Sequence, residues 1–448
     1  GIGNSGIPAP SEFGAIDPTG SEGGNGGNGN SSNGTNPGGG GGGAWDSNGK
    51  GTAYVGGTGG NGQIRITWST LDFIGTANND YVDFGNNHNL TSSFSLEAWI
   101  LQKTIVTTGT IISKGNASST KRGYNLSLKN CYPNLTWYDI AGAEKLNIES
   151  PTAITNGTNA KWHHIAATFD ATTNKAILYV DGVEVKRSTP TASPPTGGTE
   201  KFSLGAMYDS GTPTIPKNNF DGYIDEVRVW DVALSEKQIR EMMNQEIQIN
   251  DITGKVKGKT IPIDISCGLA WTNLKGYYPM NDNTTNDKSG NLVKKHGSPK
   301  NMTTFQPQTA PLPYKSTSNG SWDATSTWQN GTVQNLPNST GINGSTKVDW
   351  NIVQTSHNIT SGNKDITLLG LISTAGKLTI DGTTDIGTGT GTGQSLRVTH
   401  YLELDGVIDL EGESQLLQDE ESILDQDSGG YIERDQQGTA NSFNYNYW

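Results

Sequence analysis

The sequence predicts an all-β protein in three successive parts: a glycine-rich N-terminal region, a jelly-roll sandwich, and a short β-solenoid-like region. Three observations carry that expectation. Only 32% of the 448 residues are hydrophobic and 17% are charged, while 60 are glycine, so one conventional enzyme-sized core is not in view. The glycines are uneven, with 24 of the 60 inside residues 1–62. Beyond that point the chain breaks into short alternating segments separated by Asn, Gly, Asp and Pro turns, and only Ser235 to Ile247 carries a convincing helical spacing.

The glycine-rich region, 1–62, holds Gly38 to Gly43 as an unbroken run flanked by Gly-Gly-Asn repeats. Such composition suits a flexible linker. It equally suits packed polyglycine helices, because glycine has no Cβ to hold neighbouring backbones apart. Residues 63–315 read as the sandwich. Phe94-Ser-Leu-Glu-Ala-Trp-Ile100, Tyr124-Asn-Leu-Ser-Leu128 and Ala176-Ile-Leu-Tyr-Val180 alternate with the period of two that points successive side chains to opposite faces. Asp181-Gly182 after the last of these predicts a two-residue type I′ hairpin turn. In the helix, Ser235 is the expected N-cap and Ile239, Met242, Met243 and Ile247 share one side. From 316 to 426 the strands shorten to two apolar residues each, as in Lys377-Leu-Thr-Ile380 and Val407-Ile-Asp-Leu410. Stacking such pairs as successive rungs would bury them efficiently. Residues 427–448 are a C-terminal segment leading to an unseen part.

Charge and cysteine content exclude several classes of function. The formal net charge is −13 and the basic residues are scattered, so a surface that tracks nucleic-acid phosphates has nothing to be built from. No run approaches the roughly 18 apolar residues of a transmembrane helix, and no charged-then-apolar leader is visible. Two cysteines, Cys131 and Cys267, exclude a disulfide scaffold and a thiolate metal cluster, and leave one bridge open. With low Lys and abundant Asn, Thr, Ser and Gly, the composition points to an extracellular protein. The chain starts at Gly1 without Met and stops at Trp448 inside an aromatic-polar stretch, which reads as a processed or truncated piece.

Asp80-Tyr-Val-Asp-Phe84, Phe94-Ser-Leu-Glu-Ala-Trp99, Trp162-His-His-Ile-Ala166, Leu178-Tyr-Val-Asp-Gly182 and Phe220-Asp-Gly-Tyr-Ile-Asp-Glu-Val-Arg-Val-Trp230 occur in this order. That ordered set resembles the laminin-G-like, concanavalin A-like jelly-roll family, over about 240 residues. The resemblance implies two packed antiparallel sheets, binding of carbohydrate or protein, and often a structural calcium. Gly429-Gly-Tyr-Ile-Glu-Arg-Asp-Gln-Gln-Gly438 and Asn444-Tyr-Asn-Tyr-Trp448 resemble C-terminal parts of type IX-secreted cell-surface adhesins of Bacteroidota. That likeness implies export through a secretion translocon and a place on the outer cell surface or in the medium.

The candidate residues follow from chemistry. A sugar site needs an aromatic face with a few fixed polar groups beside it, and Trp137, Tyr138, Tyr208 and Asp209 are the expected set. Because Trp137 and Tyr138 are adjacent, one of them has to point away from the core. Calcium takes six to eight oxygens, and the resemblance places its ligands at Asp72, Asn79 and Asp80 on the opening strand and Asp225 on the closing one. A turn-capping role for Asn79 and Asp80 is the simpler alternative. No catalytic residues are assigned. Asp409-Leu-Glu411-Gly-Glu413 lies outside the jelly roll, and Asp225 with Glu226 are expected to face opposite ways on a strand. His163 and His164 are likewise expected to split, one half buried and one exposed. The function expected from all this is non-catalytic adhesion through glycan or another surface ligand. The alternatives are an accessory region of a larger secreted hydrolase and a structural stalk.

Overall fold

The computed structural model describes residues 71–435, apart from 118–120, 158–159, 195–197, 210–215, 281–284, 305, 330–335 and 386–389, together with the backbone of residues 27–28 and 44–45. The chain divides into two compact units, Gly1–Trp68 and Ser69–Trp448. In the first, Gly27–Asn28 pairs in parallel with Ala44–Trp45. The rest of the glycine-rich stretch, residues 63–70 at the start of the expected sandwich and residues 436–448 lie outside the described residues.

Two seven-stranded antiparallel sheets make a jelly-roll sandwich of the concanavalin A-like kind. The first runs Val183–Ser188, Lys175–Val180, His163–Asp170, Phe94–Gln102, Asp221–Trp230, Leu274–Tyr278, with Asp72–Ile74 also on Asp221–Trp230. The second runs Ser298–Lys300, Tyr81–Asp83, Phe202–Leu204, Thr108–Asn116, Arg122–Lys129, Tyr132–Tyr138, Glu144–Glu149. Period-two alternation sends Phe94, Leu96, Ala98 and Ile100 from one sheet, and Leu126, Leu128, Leu135 and Trp137 from the other, into one shared core. The hairpin turn has φ of 52° at Asp181 and 77° at Gly182, as a type I′ turn requires, and Val180 pairs with Val183.

The outer face of the first sheet is also covered, and this changes several expectations. The helix is Glu236–Met243, shorter than the sequence spacing suggests, because Ile247 already opens a strand, Ile247–Ile249. Ser235 and Gln238 close a reciprocal capping box at its start. Ile239 and Met242 pack with Trp230, Tyr179 and Tyr277, while Met243, Val348 and Trp350 pack with Trp99, Trp162 and Tyr223. Trp99, Trp162 and Trp230 are therefore core residues, but of this outer layer. His163 and His164 do not split into a half-buried and an exposed residue: both are buried, His163 Nδ1 lying 2.9 Å from Asp181 and His164 Nε2 3.5 Å from Glu97. Cys131 is buried, Cys267 is exposed, and both are free thiols.

From Tyr314 onward the chain alternates between two parallel sheets. One contains Tyr314–Lys315, Ile352–Thr355, Ile366–Ser373, Ser395–Leu404 and Gln415–Gln418, and the other Gly320–Ser321, Ile359–Thr360, Lys377–Ile380, Val407–Leu410 and Tyr431–Arg434. The apolar pairs of the short strands meet between the sheets, where Leu371, Leu378, Leu402 and Ile408 join Trp322 and Trp328. This part is not a separate compact unit. Ile261 of the jelly-roll side packs with Ile352, Leu369, Ile372 and Tyr401, and Asn351 Nδ2 donates to Asn244 Oδ1 at 3.2 Å.

Candidate functional site

A recess opens at the rim of the second sheet, where Thr108–Asn116 and Arg122–Lys129 run antiparallel and pair Lys114 with Tyr124, Gly115 with Gly123 and Asn116 with Arg122. Gly123 has φ of +74°, and a Cβ there would lie 1.8 Å from the Lys114 carbonyl oxygen, so only glycine lets the two strands meet at this register. The recess is lined by the charged side chains of Lys114, Arg122 and Glu200 and by Leu90, Tyr124 and Ile140. Ile140 is 65% exposed and stands at the mouth.

Lys114 is almost fully buried, and its ammonium donates to Asn86 Oδ1 at 2.8 Å and to the Glu200 carbonyl at 2.6 Å. Burial pulls its pKa down to about 8, opposed by the Glu200 charge. Arg122 reaches Glu200 Oε1 only at 3.9 Å, the outer limit of an ion pair. Tyr124 turns its hydroxyl away, donating to the His88 carbonyl at 2.9 Å.

Of the four residues expected to bind sugar, none lines this recess, and Tyr138 points to the other face of the sheet from Trp137. It pairs with Gly123 across the strands, donates its hydroxyl to Glu144 at 3.2 Å, and carries Lys121 Nζ 5.4 Å from its ring centroid. Trp137 is corrected: it points into the sandwich, fully buried against Phe94 and Phe169 with Nε1 donating to the Ala192 carbonyl, and offers no face to a ligand. Tyr208 accepts the Ala117 amide on its carbonyl and lies under Lys201 Nζ at 5.5 Å, and Asp209 is 4.0 Å from Lys217; neither lines the recess. Lys114, Arg122 and Glu200 went unread in the sequence. One signal was present, since Lys114 follows Ile112 by two residues on one strand and so shares its inward side.

The expected calcium ligands do not form one cage. Asp72 is held by Lys103 at 2.5 Å and by Thr304 at 3.1 Å, and the Asn79 carbonyl accepts from Asn301 at 3.1 Å. Asp80 accepts the Ile74 amide at 2.6 Å and leaves Oδ1 buried without a partner. Asp225 is committed elsewhere, accepting the amides of Glu226 at 2.9 Å and Ala310 at 3.0 Å. Among the described residues no three His, Cys, Asp or Glu side chains converge as metal ligands.

Asp225 and Glu226 do not face opposite ways. The strand bulges between Asp225 and Arg228, and Glu226 has φ of +49°, so both carboxylates line one cleft together with Glu246. Their chemistry is nevertheless spent internally. Glu226 accepts from Arg228 at 2.7 Å and from Tyr277, and Lys259 holds Glu246. Burial raises the pKa of both Asp225 and Glu226, and each carboxylate already has its donors. In the parallel region Asp409 pairs with Lys377 at 3.2 Å, and its strand ends at Leu410 before Glu411 and Glu413, so these three make no alternating catalytic face.

Residues 76–240 match the family described as the concanavalin A-like lectin/glucanases superfamily, a little over a third of the chain. No curated protein matches the chain. Among solved structures it is similar to a "putative carbohydrate binding protein" from Bacteroides ovatus, with 19% identity, TM-score 0.37, and coverage of 59% of this chain and 66% of that one, just under two thirds. A heptameric SAP-like pentraxin from Limulus polyphemus gives 18% identity and TM-score 0.31 over 40% and 82% of the two chains. The CBM40 of a Ruminococcus gnavus sialidase, bound to α2,3-sialyllactose, gives 15% and 0.32 over 38% and 92%. At these identities and TM-scores the likeness carries no ligand over to this chain.

Proposed function

We propose that the protein is a secreted or surface-displayed adhesin-like protein whose jelly roll binds glycan at the rim recess without catalysing a reaction. The observation that supports this most is the make-up of the recess, which is lined by apolar Leu90 and Ile140 together with Lys114, Arg122 and Glu200. An apolar wall beside a few fixed polar groups is what sugar rings require. The match of residues 76–240 to a lectin and glucanase superfamily agrees with that reading. Glycoside hydrolysis in its usual form needs two carboxyl groups across the scissile bond, and among the described residues Glu200 is the single carboxylate lining the recess. One weak site becomes useful attachment through many copies on one cell. Export by type IX secretion rests on the likeness of the C-terminal segment alone.

A glycan array probed with the multimerised protein tests the reading, with a change at the exposed lining residue, Ile140→Ala, as the comparison. Binding that drops in the variant is expected. Release of reducing sugar from any bound polysaccharide would overturn the non-catalytic part, and cell fractionation in a secretion-deficient strain tests the location.

A further inference from the structure

We propose that the rim recess selects an acidic sugar, holding a carboxylate or sulfate oxyanion between Lys114 and Arg122; this rests on the glycan-binding reading and narrows its ligand class.

The argument begins with the donors. An ammonium has three N–H groups, and those of Lys114 have two neutral acceptors, Asn86 Oδ1 and the Glu200 carbonyl. Among the described residues no carboxylate lies within ion-pair distance of Lys114 Nζ, although the side chain is almost fully buried and lines the recess. Taking a charge out of water is costly, and the pKa pulled down to about 8 reflects that cost, only partly offset by the Glu200 charge. Among the described residues Arg122 has one loose partner, Glu200 at 3.9 Å, and its side chain is 44% exposed. Its planar fork is left free to take two oxygens side by side, the geometry that carboxylates and sulfates present.

Charge counting points the same way. Lys114 and Arg122 against Glu200 leave one uncompensated positive charge in the recess, which one anionic group would neutralise. The chain as a whole carries −13, so this recess is a local exception to a repelling field. Ile140, which lines the recess and is largely exposed, can take the apolar face of the sugar ring that bears the anion.

The experiment is isothermal titration calorimetry on the full chain with three matched oligosaccharides: a neutral parent, the same parent carrying one uronic acid, and the same parent carrying one sulfate ester. At least one anionic member is expected to bind ten-fold or more tightly than the parent, and which one does so identifies the oxyanion. Arg122→Gln and Lys114→Met should each erase most of that preference. Because Lys114 is buried, its variant is read only if it melts cooperatively; Arg122 is partly exposed, and its variant keeps the test decisive. Equal affinity for neutral and anionic members, or a folded Arg122→Gln that keeps the full preference, would overturn the acidic-sugar inference and leave glycan binding standing. Absence of binding to all three would overturn both.

Discussion

Arg240, on the helix that covers the jelly roll, lays its guanidinium 3.8 Å from the ring centroid of Trp350, which belongs to the segment feeding the parallel sheets. Gly182 backs the same ring so closely that a Cβ would lie 2.7 Å from Trp350 Nε1, and Arg240 Nε donates to the Gly182 carbonyl at 2.9 Å. Turn, helix and parallel region are thus joined through one buried tryptophan.

The two parts should therefore unfold together. Residues 71–435 are expected to give one calorimetric transition, and proteolysis should spare the Lys315 connection in the native state. Trp350→Ala should cost about 3–5 kcal/mol, as deletion of a buried aromatic does, and should split the transition or broaden it. Two well-separated transitions in the wild type would contradict this coupling.

A second expectation concerns Arg228, which is buried and ion-paired to Glu226 at 2.7 Å, with Glu97 close enough to act on its charge. Removing it strands two buried carboxylates, so Arg228→Ala should lose about 3–5 kcal/mol. Burial raises the pKa of both Glu97 and Glu226. A carboxyl whose folded pKa is raised binds more protons folded than unfolded, so its contribution to stability falls as pH climbs through that range. The variant's deficit should then be smaller at pH 5 than at pH 8, as chemical denaturation would read; an equal deficit at both would reject the assignment.

Asp80 offers a cleaner pH test. Its pKa is raised to about 6, chiefly by burial and against the Ile74 hydrogen bond. Between its ordinary value near 3.8 and 6, folded Asp80 holds a proton that the unfolded chain has lost, so stability should decline over that interval and then level off. Asp80→Asn should flatten this decline and gain on the order of 1–2 kcal/mol at pH 7. The same preparation answers the calcium question: with Asp72 held by Lys103 and Asp225 bonded to backbone amides, millimolar calcium or a chelator should leave the melting temperature unchanged. A calcium-dependent rise abolished by Asp80→Asn would restore a cation to this corner.

For the rim recess, the lowered pKa of Lys114 predicts a pH dependence of binding. Anion binding favours the ammonium form, so affinity for an acidic oligosaccharide should hold below pH 8 and weaken above it, while affinity for the neutral parent should change little. A flat profile for the acidic ligand would remove Lys114 from its recognition.

Local structure was legible in the amino-acid order wherever neighbouring residues settle it. Alternation in Phe94–Gln102 and Arg122–Lys129 sets which side chains face inward, Asp181-Gly182 supplies two residues that tolerate positive φ, and Ser235 with Gln238 supplies its own cap. Tertiary structure alone decided what covers each face and what converges. Trp137 and Tyr138 were an undecided pair until the sandwich put the first inside. Asp225 and Glu226 obeyed strand alternation on paper, and a bulge held by neighbouring Arg228 and by long-range partners at Tyr277 and Ala310 turned both into one cleft. The rim recess joins Leu90, Lys114, Ile140 and Glu200, which are 24 or more residues apart in sequence. Periodicity acts over a few residues, whereas burial, pKa shifts and charge balance depend on contacts between strands distant in the chain.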